Sequence, residues 1–291
     1  MSPESKFGLF LWTWKEALKA ARKPVVLLPF FIYALAQTLI VAGLIFFMYP
    51  PFSFVFVPLQ RVLGGEMALH YPNYFLSLPQ AFDKVNFVLS GILGIGVIGL
   101  ATLMFAAGAR PMPLGERIKI VGGRYGHLFG AWIVETALSL AVLYGFAHLA
   151  ARVPEWGIYV TAARVLFVIL VSTLCAFTAA LIMLERQSFA RALAGSLKLF
   201  TSHGVVAFFL IGLPSLLQLP VQFVLSKSAV IVHKLNPEII AVVVLAGIVA
   251  GMLANYFVIG TITSLYRMIA FEAKNNPQPQ AAPNRRAAVR S

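Results

Sequence analysis

The sequence predicts an all-α polytopic membrane protein: six transmembrane helices, with basic amphipathic interfacial helices on the cytoplasmic side. Three observations predict it. Of 291 residues, 60% are hydrophobic and 11% charged, whereas a water-soluble domain carries about a quarter charged residues. Mean hydropathy is +0.86. Six apolar runs reach the ~20 residues needed to cross a ~30 Å hydrocarbon core. The cations of a chain with net charge +13 fall between those runs on alternate sides.

The chain opens on a basic amphipathic segment, residues 1–23. In KFGLFLWTWKEALKAARK the residues Phe7, Phe10, Leu11, Trp14, Ala17, Leu18 and Ala21 share one helical face, and Lys15, Lys19 and Lys23 lie opposite. Such a helix belongs in the headgroup plane. The first span, 24–49, follows without a small-residue cleavage site and reads as an uncleaved anchor rather than a signal peptide.

Residues 50–86 form the longest connection. It is too apolar for a solvated linker and too rich in Pro and Gly for a further span. Aromatics such as Phe52, Phe56, Tyr71 and Phe75 place it on the outer interface or as a cap on the bundle, with a re-entrant hairpin as the alternative. The second span, 87–109, carries Gly91, Gly94, Gly96 and Gly99, which let a membrane helix approach its neighbours closely.

A second basic segment, PLGERIKIVGGRYGHL, gathers Leu114, Ile118, Val121 and Tyr125 on one face and carries Arg117 and Lys119. Its glycines weaken it. Spans three and four cover 128–150 and 158–184. Between spans four and five lies ERQSFARALAGSLKLFTSHG, whose Phe189, Ala192, Leu193, Leu197 and Phe200 oppose Gln187, Arg191, Gly195 and Lys198. This stretch is too polar to span, so it too is expected in the headgroup plane.

Span five, 204–225, contains Pro214 and Pro220 and should be kinked or broken. Span six covers 239–266. The six-span domain therefore runs over 24–270, and the polar residues 271–291 read as a disordered basic cytoplasmic tail.

Orientation follows from charge. Five, four, three and five of the 23 Lys and Arg lie before residue 24, in 110–127, in 185–203 and from Arg267 onward, and the other six lie on the opposite side or near it. Positive residues are retained in the cytoplasm, so both termini are expected inside a multi-pass protein of the inner, cytoplasmic membrane of a bacterial cell. The partners implied are membrane lipids with anionic headgroups. Lys15, Lys19, Lys23, Arg117, Lys119, Arg191 and Lys198 are the expected contacts, each contributing roughly 1 kcal/mol near an anionic surface. The same distribution serves topology alone in many membrane proteins, and both readings stand. Neither calls for nucleic acid.

Polar groups inside spans are where a function would show. Glu135 lies about 10 Å into the third span if that span starts at Leu128. An unpaired acid there is costly, so it should face the interior, hold a proton or have a partner. Arg164, near the outer edge of span four, is more simply a snorkelling side chain. Asn255, with Thr261 near it, is the better level match. Glu135, Asn255, Gln37 and Gln218 are therefore a possible polar path through the bundle; in the plainer reading the amides are interhelical hydrogen bonds. Gly247 and Gly251 form a GxxxG expected to serve helix contact within the chain.

The sequence calls for no enzyme, cofactor or metal. It contains no HExxH and no GxxxxGK; its five histidines are scattered, and its ten acids are isolated. The single cysteine, Cys175, allows no intrachain disulfide and reads as packing. Ser196 lacks a nearby base and reads as part of the interfacial segment.

The segment ERQSFARALAGSLKLFTSH, with Glu185, Ala192, Ser196 and Leu199, resembles the six-span membrane domain attached to some glycerophosphoryl diester phosphodiesterases, and related stand-alone inner-membrane proteins of unknown role. The resemblance implies membrane-organising or lipid-associated work. The catalytic domain has no counterpart here, so no hydrolase activity is implied. A second likeness, through ARKPVVLLPFFIYAL, is to a sulfate-transporter-like family and implies transport. The functional expectation is a non-enzymatic accessory protein, or alternatively a secondary transporter or channel for a small solute or ion.

Overall fold

The computed structural model describes residues 5–107 and 112–275, and among them no strand occurs. Six helical passages are long and apolar enough to cross a membrane: 24–45, 73–106, 114–152, 157–184, 189–225 and 239–275. The protein is an all-α polytopic membrane protein. Five passages are interrupted or extended in ways the hydropathy of the chain does not announce.

Helix α1, Lys6–Ala21, starts where the Ser5 side chain accepts a hydrogen bond from the Gly8 N–H at 3.0 Å. Pro24, at the first position of α2 (Pro24–Ile45), separates the two. The stripe α1 buries is Leu9, Thr13 and Ala17. The expected apolar face is split: Ala17 is buried, whereas Phe7, Leu11 and Leu18 are exposed at 69, 51 and 53%. Docking decides this, because the Tyr256 hydroxyl donates to the Ala17 carbonyl at 2.8 Å and draws α1 against the last helix.

The 50–86 connection folds as α3 (Ser53–Gly64), a short 3₁₀ turn and all but the last turn of α4 (Asn73–Leu89). It packs on the bundle end: Phe75 and Leu78 are 2 and 0% exposed and share a core cluster with Val41, Leu44 and Ile240. Helix α4 then runs through one π-helical turn, Ser90–Gly94, into α5 (Ile95–Ala106).

Helix α6, Leu114–Arg152, is one unbroken rod of 39 residues, about 58 Å long and thus well beyond a ~30 Å core. The separate interfacial segment expected before residue 128 is not a separate helix. No proline interrupts 114–152, and glycine alone costs a helix only about 1 kcal/mol, so the helix continues. Likewise the stretch after Glu185 is no flat connector: α9, Phe189–Ser215, passes straight through Gly204. The fourth passage is broken into α7 (Gly157–Cys175) and α8 (Thr178–Leu184). The fifth continues from α9 through a 3₁₀ turn at Leu216–Gln218 into α10 (Leu219–Leu225), and α11 (Ser228–Lys234) follows.

Helix α12, Ile239–Asn275, is the hub, packing on α1, α2, α4, α5, α9 and α10. Residues Gly260 to Tyr266 are buried on every side. Small residues permit this: a Cβ at Gly260 would stand 2.7 Å from the Phe105 ring. The helix extends through residues 271–275, assigned above to the tail; residues 276–291 and Arg110 lie outside the described residues.

Candidate functional site

Three passages leave α geometry, and two of the breaks are bridged by a side chain from another helix. At the π turn, the Tyr125 hydroxyl of α6 reaches the carbonyls of Gly91 and Ile92 at 2.8 and 2.9 Å. At the α7–α8 break, the Ser196 hydroxyl of α9 donates to the Leu174 carbonyl at 2.7 Å and accepts the Phe177 N–H at 3.2 Å. At the third, Pro214 has no N–H to give the Leu210 carbonyl, and the Ser215 hydroxyl donates within the same helix to the Ile211 carbonyl at 2.8 Å. In lipid every freed backbone group needs such a partner, and irregular backbone is tolerated where it is buried or lines a cavity.

The breaks surround two cavities. The first, ≈ 270 Å³, is lined by Glu135 of α6, Ser172 and Cys175 of α7, Thr178 of α8, Ser215 of α9 and Asn255 of α12. The second, ≈ 290 Å³, is lined by Tyr33 and Gln37 of α2, Asn86 of α4, Gln218 between α9 and α10, and again Asn255. Asn255, an exposed residue of α12, lines both.

The second cavity is built from amides and a phenol. The Gln37 amide donates to Asn86 Oδ1 at 2.8 Å, and the Tyr33 hydroxyl reaches the same oxygen at 3.2 Å. Asp83 also lines this cavity and is exposed. Backbone approach makes the space: a Cβ at Gly251 would lie 3.4 Å from Gln218 Nε2, and one at Gly247 would lie 3.0 Å from Val221. The GxxxG of α12 therefore receives α10 of the same chain.

The first cavity has a different chemistry. Glu135 is its one acid, the Ser172 hydroxyl stands beside it, and no Lys, Arg or His among the described residues lines the space. The Thr178 side chain is 3% exposed and its Oγ1 has no hydrogen-bond partner among the described residues. Ile95, Ile98, Leu128, Trp132 and Val258 supply apolar walls.

Of the residues expected to form a polar path, Glu135 and Asn255 come together in one cavity, and Gln37, Gln218 and Asn255 in the other. Thr261 joins neither; it is fully buried and donates to the Phe257 carbonyl at 2.7 Å. Arg164 also lines neither cavity. The sequence reading missed Ser172, Thr178, Asn86 and Tyr33. A signal existed: Tyr33 precedes Gln37 by four residues, and Ser172, Cys175 and Thr178 recur every third residue, the spacings that share a helical face.

The cations are placed differently from one another. Lys15, Lys23, Lys119, Arg191 and Lys198 are exposed. Lys19 is exposed too, but pairs with Glu16 at 2.6 Å. Arg117 is half-buried, with its Nε unpartnered among the described residues.

The residues carrying the family resemblance have structural tasks. Glu185 accepts a short hydrogen bond from the Tyr266 hydroxyl and another from the Gln187 amide at 2.6 Å. Ala192 is fully buried, and Ser196, also fully buried, is the stitch of the α7–α8 break rather than a surface position. The connection around it carries Arg186 at φ 56°, the left-handed region.

The fold defines the class: a multi-pass, all-α membrane protein. No protein-family model, no curated protein and no solved structure matches the chain.

Proposed function

We propose that this chain is a transporter or channel for a small solute or ion, with a path that runs past Gln37 and Gln218, through Asn255, to Glu135. One observation carries the reading: two clefts in the bundle, one lined by amides with Asp83 and one by Glu135 with hydroxyls, share Asn255. Broken helices that line such spaces are how membrane transporters present backbone and side-chain polarity to a solute. An intramembrane acid with no basic partner among the described residues lining its cavity has the profile of a functional group. The reading is non-enzymatic, and the positive-inside bias puts both termini in the cytoplasm of a bacterial cell.

The test is flux into proteoliposomes containing the full chain, measured for protons, alkali cations and small organic solutes. Glu135→Gln should reduce the transported species' flux at least tenfold. Equal flux through wild type and variant, or no flux above empty vesicles for any solute, overturns the proposal.

A second reading, a membrane-organising or lipid-associated accessory role, is favoured by α1, which exposes Phe7, Leu11 and Leu18 beside Lys15. Aromatic and aliphatic groups next to cations suit the headgroup boundary. On this reading a membrane phenotype is indifferent to Glu135→Gln and sensitive to paired loss of Arg191 and Lys198.

A further inference from the structure

We infer that the Glu135 cavity is a binding site for a small organic ammonium ion with an apolar body. The inference rests on the transport reading for its purpose, and on the cavity alone for its chemistry.

The site carries one carboxyl and no basic side chain among the described residues that line it. In a membrane interior such a carboxyl is neutralised by a proton or by a cation. The surroundings discriminate between cations. A bare metal ion replaces its hydration shell with six or more oxygens; here oxygens at Glu135, Ser172, Thr178, Ser215 and Asn255 share the wall with a larger apolar surface that includes Ile95, Ile98, Leu128, Trp132 and Val258. Thr102 and Ser215, which also line it, donate their hydroxyl hydrogens to the carbonyls of Ile98 and Ile211, which leaves their oxygens as acceptors for an N–H of the ligand. An ammonium group at Glu135 needs few oxygens, and its hydrocarbon part suits the walls.

Two further features fit that ligand. Thr178 lines the same cavity, and its buried Oγ1 has no hydrogen-bond partner among the described residues, an unsatisfied acceptor of the kind a ligand hydrogen fills. Trp132 lies one helical turn before Glu135 on α6, and its ring is fixed by Phe87 at 5.4 Å and Phe129 at 5.8 Å between centroids. A tryptophan face attracts a cation within about 6 Å of its centre. The volume, ≈ 270 Å³, sits just below the usual range of roughly 300–1,000 Å³ for small-molecule sites, so the ligand is small.

The experiment is equilibrium binding of radiolabelled benzylammonium to the full chain in nanodiscs, with benzyl alcohol and sodium as competitors. Saturable binding is expected, weakened at least tenfold in Glu135→Gln and severalfold in Thr178→Val, with benzyl alcohol competing at least tenfold less well than the amine. Thermal midpoints of the unliganded variants report whether each is folded; a variant that unfolds is replaced by Ser172→Ala, for which severalfold weakening is expected. Unchanged binding in folded Glu135→Gln, equal competition by the alcohol, displacement by millimolar sodium, or no binding at all overturns the inference. The two proposals fail separately: amine binding without flux removes transport and leaves the site, whereas ion flux without amine binding removes the site and leaves transport.

Discussion

The Ser196 hydroxyl donates to the Leu174 carbonyl at 2.7 Å, across the gap where the fourth passage breaks, and its oxygen takes the Phe177 N–H at 3.2 Å. One side chain thus satisfies both ends of an interrupted helix in a place without solvent. Removing it leaves a donor and an acceptor unpaired, each costing about 1–3 kcal/mol when buried. Ser196→Ala should lower the thermal midpoint of the purified protein by the equivalent of at least 1 kcal/mol in differential scanning fluorimetry. A midpoint equal to wild type refutes the stitch.

The same reasoning applies to Tyr125 at the π turn. Tyr125→Phe keeps the ring and deletes the donor to Gly91 and Ile92, so the destabilisation should be smaller, about 0.5–1.5 kcal/mol. Because carbonyl oxygens tolerate loss better than N–H groups do, the ordering Ser196→Ala worse than Tyr125→Phe is the informative result.

Glycines divide by environment. Gly260→Ala would drive a Cβ to 2.7 Å from the Phe105 ring, an overpacking that costs about 1–3 kcal/mol. Gly122→Ala on α6 meets nothing within 4 Å and should be neutral or stabilising by up to about 1 kcal/mol. Thermal midpoints of the two variants should move in opposite directions or differ by the equivalent of about 1 kcal/mol or more.

Cys175 reports on the first cavity, because it lines that space and is the one cysteine in the chain. A small water-soluble methanethiosulfonate should modify it in the folded protein, and a bulky maleimide should react at least tenfold more slowly. Equal inertness to both, until denaturant is added, would mean that the cavity is closed and dry.

The Glu185–Tyr266 hydrogen bond ties the exposed connection at Arg186 to α12. Tyr266→Phe should free that connection and raise the rate of tryptic cleavage after Arg186 severalfold under native conditions. Mass spectrometry of the fragments checks it.

Some of this was written in the chain. Six apolar runs of adequate length determine six crossings, because a hydrocarbon core accepts little else, and Pro214 and Pro220 mark the break in the fifth. Glu135 and Asn255 are conspicuous as polar groups in apolar runs. Hydropathy is a sum over neighbours in sequence, however, and says nothing of which side of a helix meets which partner. The stripe of α1 that is buried, the continuation of α6 and α9 through their basic segments, and the split of the fourth passage at Ala176–Phe177 all depend on contacts from distant residues. Ser196 shows the reason most plainly. Its own surroundings read as a polar surface segment, and only the arrival of Leu174 and Phe177 from the preceding passage makes it a buried bridge beside the cavity that holds Glu135.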